Sequence, residues 1–225
     1  VSPMAKSDGP RPPAQAHPGA RLSAVTVDAA ALAEDLTLED VQLSPAWADA
    51  DASFADLMGI RMDAGTLAGS RWYRGSIVDS VLDGVDLANA AFEECGLRRC
   101  ELVRCRLTGL DLSGCQLEDV TLCGCTLDLA NLRFAVLTRV RFEDCSLVGA
   151  DLLGAKLTDV VFCDCVLREV DVNQAACQRV RFERCDLEGL KGVGALRGAT
   201  IDPLDLLALT DQLAAALGIR IARDA

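Results

Sequence analysis

Eleven cysteines and one histidine are the residues of this chain with the plainest capacity for chemistry. Clustered thiols form disulfides or hold zinc. Two pairs, Cys123-Gly-Cys125 and Cys163-Asp-Cys165, are spaced like metal clips. The lone His17 lies in a stretch with prolines at 3, 10, 12, 13 and 18. A zinc site would therefore have to be all-cysteine, and imidazole catalysis has one candidate outside any patterned segment. Recurrent aspartates could pair as general acid and base. Other catalytic signals are missing. Gly192-Val193-Gly194 followed by Gly198 misses the dinucleotide-binding spacing by one residue, and neither a nucleophile elbow nor a phosphate-binding loop appears. What the thiols and carboxylates do depends on the elements that carry them.

The 225 residues are 51% hydrophobic and 25% charged, the balance of a globular chain with one sizeable core. A net charge of −12 argues against direct nucleic-acid binding, which needs clustered Lys and Arg. No apolar run approaches the roughly 18 residues of a membrane span, and residues 1–21 lack the apolar core of a secretory signal. A cytoplasmic protein is expected.

The organising signal is a period of five. From Leu57 to Leu187, every fifth residue is apolar, 27 times in succession. At this composition, chance gives such a run with a probability on the order of 10⁻⁸ in one register. The position two residues before each centre (Ala55, Ile60, Gly65 and onward to Cys185) is never charged. Two positions in five therefore face inward and three face solvent. Five fits neither a helix at 3.6 nor a strand at 2. It fits a chain that turns at fixed intervals and buries its apolar side only by stacking.

Ala55-Asp56-Leu57, Ala130-Asn131-Leu132 and Ala150-Asp151-Leu152 resemble the A-[D/N]-L-x-x unit of pentapeptide repeat proteins. The resemblance, to actinobacterial-type and gyrase-interacting quinolone-resistance members, implies an all-β solenoid. It would be a right-handed quadrilateral β-helix with one unit per face and twenty residues per coil. Ladders at a spacing of twenty point the same way: Cys105 to Cys185, Val120 to Val180, and Phe142, Phe162 and Phe182. The 27 units would make nearly seven coils, about 32 Å of rod at ~4.8 Å per coil.

Eight of the cysteines fall on the small inward position, where a thiol packs as a compact hydrophobe. Side chains stacked in parallel do not meet for a disulfide. The repeat turns Cys125 and Cys165 inward and Cys123 and Cys163 outward, so neither pair converges on a metal, and the outer two are the expected reactive thiols. No metal or other cofactor is implied, and no enzyme.

Four segments are expected. Residues 1–21 form a disordered proline-rich tail. Residues 22–54 form an N-terminal cap with an irregular loop, where Leu38 and Leu43 sit one residue out of register. The β-helix occupies 55–189, and a cap with a helix occupies 190–225. Asp202-Pro203-Leu204 is an N-cap with proline at the first helical position, and Gly218 is a stop. A helix at about 203–217 would carry Leu206, Leu209, Leu213 and Leu217 on one stripe. This capping α-helix covers the last coil, and the family resemblance adds a homodimer interface as an alternative to a cap alone.

Function must then lie on the outside of the rod. One face displays Glu93, Glu94, Asp111, Asp151 and Asp171 against Arg133. The resemblance implies that such a face acts as a DNA mimic, binding DNA gyrase or another type II topoisomerase and conferring resistance to fluoroquinolones or gyrase poisons. The residue before each centre is also the family's turn position, where a carboxylate bonds nearby backbone. A second feature is apolar: Leu129, Phe134, Val148 and Leu153 occupy solvent-facing positions. They mark either a protein-partner site, as in an interaction scaffold, or a surface covered by the N-terminal segment.

Overall fold

The computed structural model of the chain describes residues 9–18, 22–29, 32 and 36–222. The chain winds into a four-sided parallel β-helix. Six strands of eight residues turn one corner without breaking: Ser76–Asp83, Gly96–Val103, Gln116–Cys123, Val136–Glu143, Lys156–Cys163 and Ala176–Glu183. Each pairs with the next at an offset of twenty, so Leu97 lies against Leu117 and Phe142 against Phe162. The other two sides pair at the same offset chiefly through single bridges, such as Asp111 with Asn131 and Arg106 with Thr126, with one three-residue ladder, Arg71–Tyr73 on Ala91–Glu93.

Stacking like on like fills the core. Leucines occupy most centres, all of them buried from Leu57 to Leu187 except the half-buried Cys177. Phe142, Phe162 and Phe182 stack in parallel with centroids 4.8 and 5.1 Å apart, as do Trp72 and Phe92 at 5.2 Å. Inward hydroxyls are satisfied locally. Ser70 donates to the Leu67 carbonyl at 2.6 Å and accepts from the Trp72 indole at 2.9 Å.

The corners explain the period. From residue 49 to 189, every fifth residue has a positive φ. Glycine, aspartate or asparagine holds many of these corners, but arginine, glutamate, phenylalanine and leucine hold others. A left-handed residue at each corner reverses the pleat, and three extended residues make each side.

Coil geometry reaches back beyond Ala55. Leu38 pairs with Leu57 and Leu43 with Met62 at an offset of nineteen, whereas Ala46 pairs with Thr66 at twenty. The missing residue falls at Ser44-Pro45. Opposite it, Gly65 has φ +103°, and a Cβ there would stand 2.5 Å from the Pro45 carbonyl oxygen. Trp47 is buried and donates its indole N–H to the Val27 carbonyl at 2.7 Å, tying residues 22–29 to the first coils.

At the other end, Thr200–Ile201 adds a last rung against Arg181 and Phe182. Two short helices follow in place of the one read from the stripe: α1 (Pro203–Leu207) and α2 (Thr210–Ala216). Ala208 N–H bonds the Asp205 carbonyl three residues back, and this tighter turn swings Leu209 into the core. Gly218 ends α2 with φ +71°, and Ile219 N–H closes onto the Ala214 carbonyl at 2.8 Å.

Candidate partner-binding surfaces

The five acidic residues read as one face lie on one side of the rod and the corner that ends it. Asp111, Asn131, Asp151 and Asp171 form one column, a coil apart. Each side-chain Oδ1 accepts the backbone N–H two residues on: from Ser113 at 2.9 Å, Arg133 at 3.2 Å, Leu153 at 2.9 Å and Asn173 at 2.8 Å. The three aspartates thus serve both as turn formers and as charged residues, and Asn131 as a turn former alone. In the three aspartates one carboxylate oxygen is held by the backbone, and the side chains are half-buried. Asp151 also meets Arg133 at 3.4 Å, and Glu94 meets Arg74 at 2.7 Å. Among the described residues, Glu93, Asp111 and Asp171 have no ion-pair partner.

Of the apolar four, Leu129 and Phe134 are corner residues at opposite ends of one side, 68% and 58% exposed. Val148 and Leu153 sit a coil further on and are half-buried. Leu129 N–H bonds the Val148 carbonyl and Phe134 N–H bonds the Leu153 carbonyl, both at 2.9 Å. The two large side chains lean over Gly149 and Gly154, where an added Cβ would meet them at 3.0 and 2.6 Å. The segment formed by residues 9–18 lies along a different corner and does not cover them.

Of the four leucines on the C-terminal stripe, Leu209 is buried and Leu213 packs partly on the core. Leu206 and Leu217 are exposed, together with Leu204, Leu207, Ile219 and Ile221. The rod's terminal edge is closed by carboxylates: Asp205 accepts the Cys185 N–H at 2.7 Å and Asp202 the Arg184 N–H at 3.3 Å.

All eleven cysteines are free thiols, nine of them buried. Inward thiols donate to carbonyls of the previous coil, as Cys105 does to Leu82 and Cys115 to Phe92. Burial pushes Cys100 up to about 12 and Cys115 up to about 11. The expected reactivity of Cys163 is corrected. Although it points outward, it is only 3% exposed beneath Arg184 and Asp164, and burial with the Asp164 charge raises it to about 11. Cys123 is half-buried and likewise raised, first by burial and then by Glu143. Neither has the thiolate character of a reactive cysteine.

A further side-chain pattern went unread. One corner carries Asp79, Arg99, Asp119, Arg139, Asp159 and Arg179 in alternation. Each arginine reaches back as a fork to the aspartate before it. A search for like residues at twenty misses it, whereas one at forty finds it.

A family model described as a pentapeptide repeat region matches residues 75–152 and 135–195. No curated protein matches the chain. Among solved structures, full-length QnrB1, a plasmid-mediated fluoroquinolone resistance protein, is 17% identical. The match covers 87% of this chain and 99% of that one with a TM-score of 0.37. A trypsin-treated variant of QnrB1 is 18% identical, over 90% of this chain and 100% of that one, with a TM-score of 0.37. Rfr23, a pentapeptide repeat protein from the cyanobacterium Cyanothece 51142, is 15% identical, over 75% and 89%, with a TM-score of 0.17.

Proposed function

The chain belongs to the pentapeptide repeat family, and from that premise we propose that it is a binding rod without chemistry of its own. Its working surface is the acidic column, and its partner is the basic DNA-binding groove of a type II topoisomerase, DNA gyrase first. The observation that carries this reading is the backbone clamp on each column residue. Asp111, Asp151 and Asp171 are held at coil spacing before any partner arrives, so binding spends little on ordering them. Fixed negative charge steers a basic partner and sets its register. A duplex carries about one charge per 1.7 Å of axis, far more than a net −12 spread along this rod. The likeness to DNA is therefore a matter of one face and not of the whole surface.

Purified DNA gyrase tests it. Added protein should inhibit ATP-driven supercoiling, or restore supercoiling blocked by a fluoroquinolone. Replacing Asp111, Asp151 and Asp171 together by lysine should weaken either effect at least tenfold. Gyrase untouched in both assays refutes the proposal.

A second reading is a protein-interaction scaffold that docks through Phe134 and Leu129, whose exposure favours it. In either reading the molecule is a homodimer through its C-terminal end, where Leu204, Leu206, Leu207 and Leu217 stand in solvent.

A further inference from the structure

The corner of alternating aspartate and arginine is occupied. Residues 9–18 run along it, from the late coils toward the early ones. Gly9 lies against the Arg181 guanidinium. The backbone N–H of Arg11 donates to Asp159 Oδ1 at 3.1 Å, and that of Ala14 to Asp119 Oδ1 at 3.0 Å. His17 lies near Asp79. Three residues of the segment thus advance by forty residues of the rod, twice over.

That match is a matter of pitch. A polyproline II chain rises about 3.1 Å per residue with three residues per turn, so one turn covers ~9.3 Å. Two coils of the rod cover about 9.6 Å. The two repeats stay in step along the whole corner. Between the two half-buried end residues, Gly9 and Pro18, burial follows the same beat: Pro10, Pro13 and Ala16 are half-buried, while Arg11, Pro12, Ala14, Gln15 and His17 are exposed. Prolines stand at 10, 12, 13 and 18, and the positions whose N–H reaches a carboxylate are not proline.

The receiving side is built for it. Asp119 and Asp159 are the two buried carboxylates among the described residues, at 8% and 3% exposure. Each is held by a two-point arginine fork, Arg139 at 2.6 and 2.8 Å and Arg179 at 2.5 and 2.7 Å. Each still accepts one backbone N–H from the segment. The grip on the segment itself is light: two hydrogen bonds and three small side chains. Attachment within one chain, worth a millimolar effective concentration for a short tether, supplies much of the occupancy.

We infer that this corner is a docking groove for proline-rich peptides in the polyproline II conformation, and that residues 9–18 are a displaceable occupant of it. The groove selects a small or proline residue at every third position, followed by one with a free N–H. Its partner is a protein with such an extended segment. This is independent of the acidic column, which lies on another side of the rod.

The test uses the full chain and a fluorescent peptide with the sequence of residues 9–18. Substituting Arg11→Pro and Ala14→Pro keeps the extended conformation and removes both donors, so the groove should open. By anisotropy, the opened chain should bind the peptide at least tenfold more tightly than the wild type does. A peptide N-methylated at the residues equivalent to Arg11 and Ala14 should lose that binding. Equal binding of both peptides, or none to the opened chain, overturns the inference. Hydrogen exchange on the wild-type chain is a second measurement that does not depend on the variant folding. Excess peptide should cut the protection of the Arg11 and Ala14 amides, and unchanged protection overturns displacement. A concentration-dependent dimer that the double substitution abolishes would assign the groove to a second copy of the segment and overturn an independent partner.

Discussion

A single backbone conformation, repeated at every corner, governs what each residue can do. Leu129 and Phe134 adopt φ of 59° and 58°, where an L-residue other than glycine or asparagine is disfavoured by about 1–2 kcal/mol. Each also exposes a large apolar surface. Replacing Phe134 with glycine removes both burdens, and Gly154 beneath it leaves room. The substitution should leave the thermal midpoint unchanged or raise it by a few degrees. If Phe134 anchors a partner, the same variant should lose that partner from affinity capture while staying folded. A midpoint that falls shows that the ring has a structural role. Inward and outward positions were legible in the sequence because burial follows the period of five. The corner conformation was not, because arginine, phenylalanine and other residues stand at corners alongside glycine. The outward thiol at 163 was misjudged for a related reason. Position gives the direction of a side chain, and the neighbouring coil decides whether Arg184 covers it.

The elements at the two ends differ from the coils because no further coil satisfies them. On the last rung, Asp205 and Asp202 accept the amides that a following strand would have bonded. Asp205→Ala would leave the Cys185 N–H without its acceptor, at a cost of about 1–3 kcal/mol. The thermal midpoint should drop by several degrees, and exchange at the Cys185 amide should quicken before that of Cys145. Equal exchange at both would show that the carboxylate caps nothing. A helix here, its proline start and its glycine stop were all legible. Its break was not, because a stripe of leucines does not say which of them meets the coil beneath. The early rungs were similarly obscured by one missing residue at Ser44-Pro45, which shifts Leu38 and Leu43 off the period while their strands still pair.

At the scale of the molecule, charge and exposed apolar surface set behaviour in solution. Asp79, Asp119 and Asp159 are each held below the usual carboxylate range, chiefly by the arginine of the next coil. A folded-state value below the unfolded one of about 3.9 adds stability above that pH, and the gain is lost as pH falls through the folded values. Thermal midpoints should therefore hold near neutrality and fall below roughly pH 4. Asp119→Asn should flatten that fall, and an unaltered profile would clear this ladder of any part in acid stability. The exposed leucines of α1 and α2 make the second expectation. Light scattering should give a mass twice that of the chain, and Leu207→Glu should halve it. A monomeric wild type would leave these helices as a cap. The architecture could be read from periodicity because each coil repeats its neighbour's surroundings. The Asp/Arg corner and its proline-rich occupant could not, because their relation joins a period of three to one of forty across more than sixty residues of chain. That relation also limits how the molecule can grow. Duplicating one coil would lengthen the rod but set aspartate against aspartate or arginine against arginine along this edge. Duplicating two would keep the alternation and add one more berth for a turn of peptide. Along this edge the unit of inheritance is forty residues, and lineages that keep the groove should differ in length by even numbers of coils.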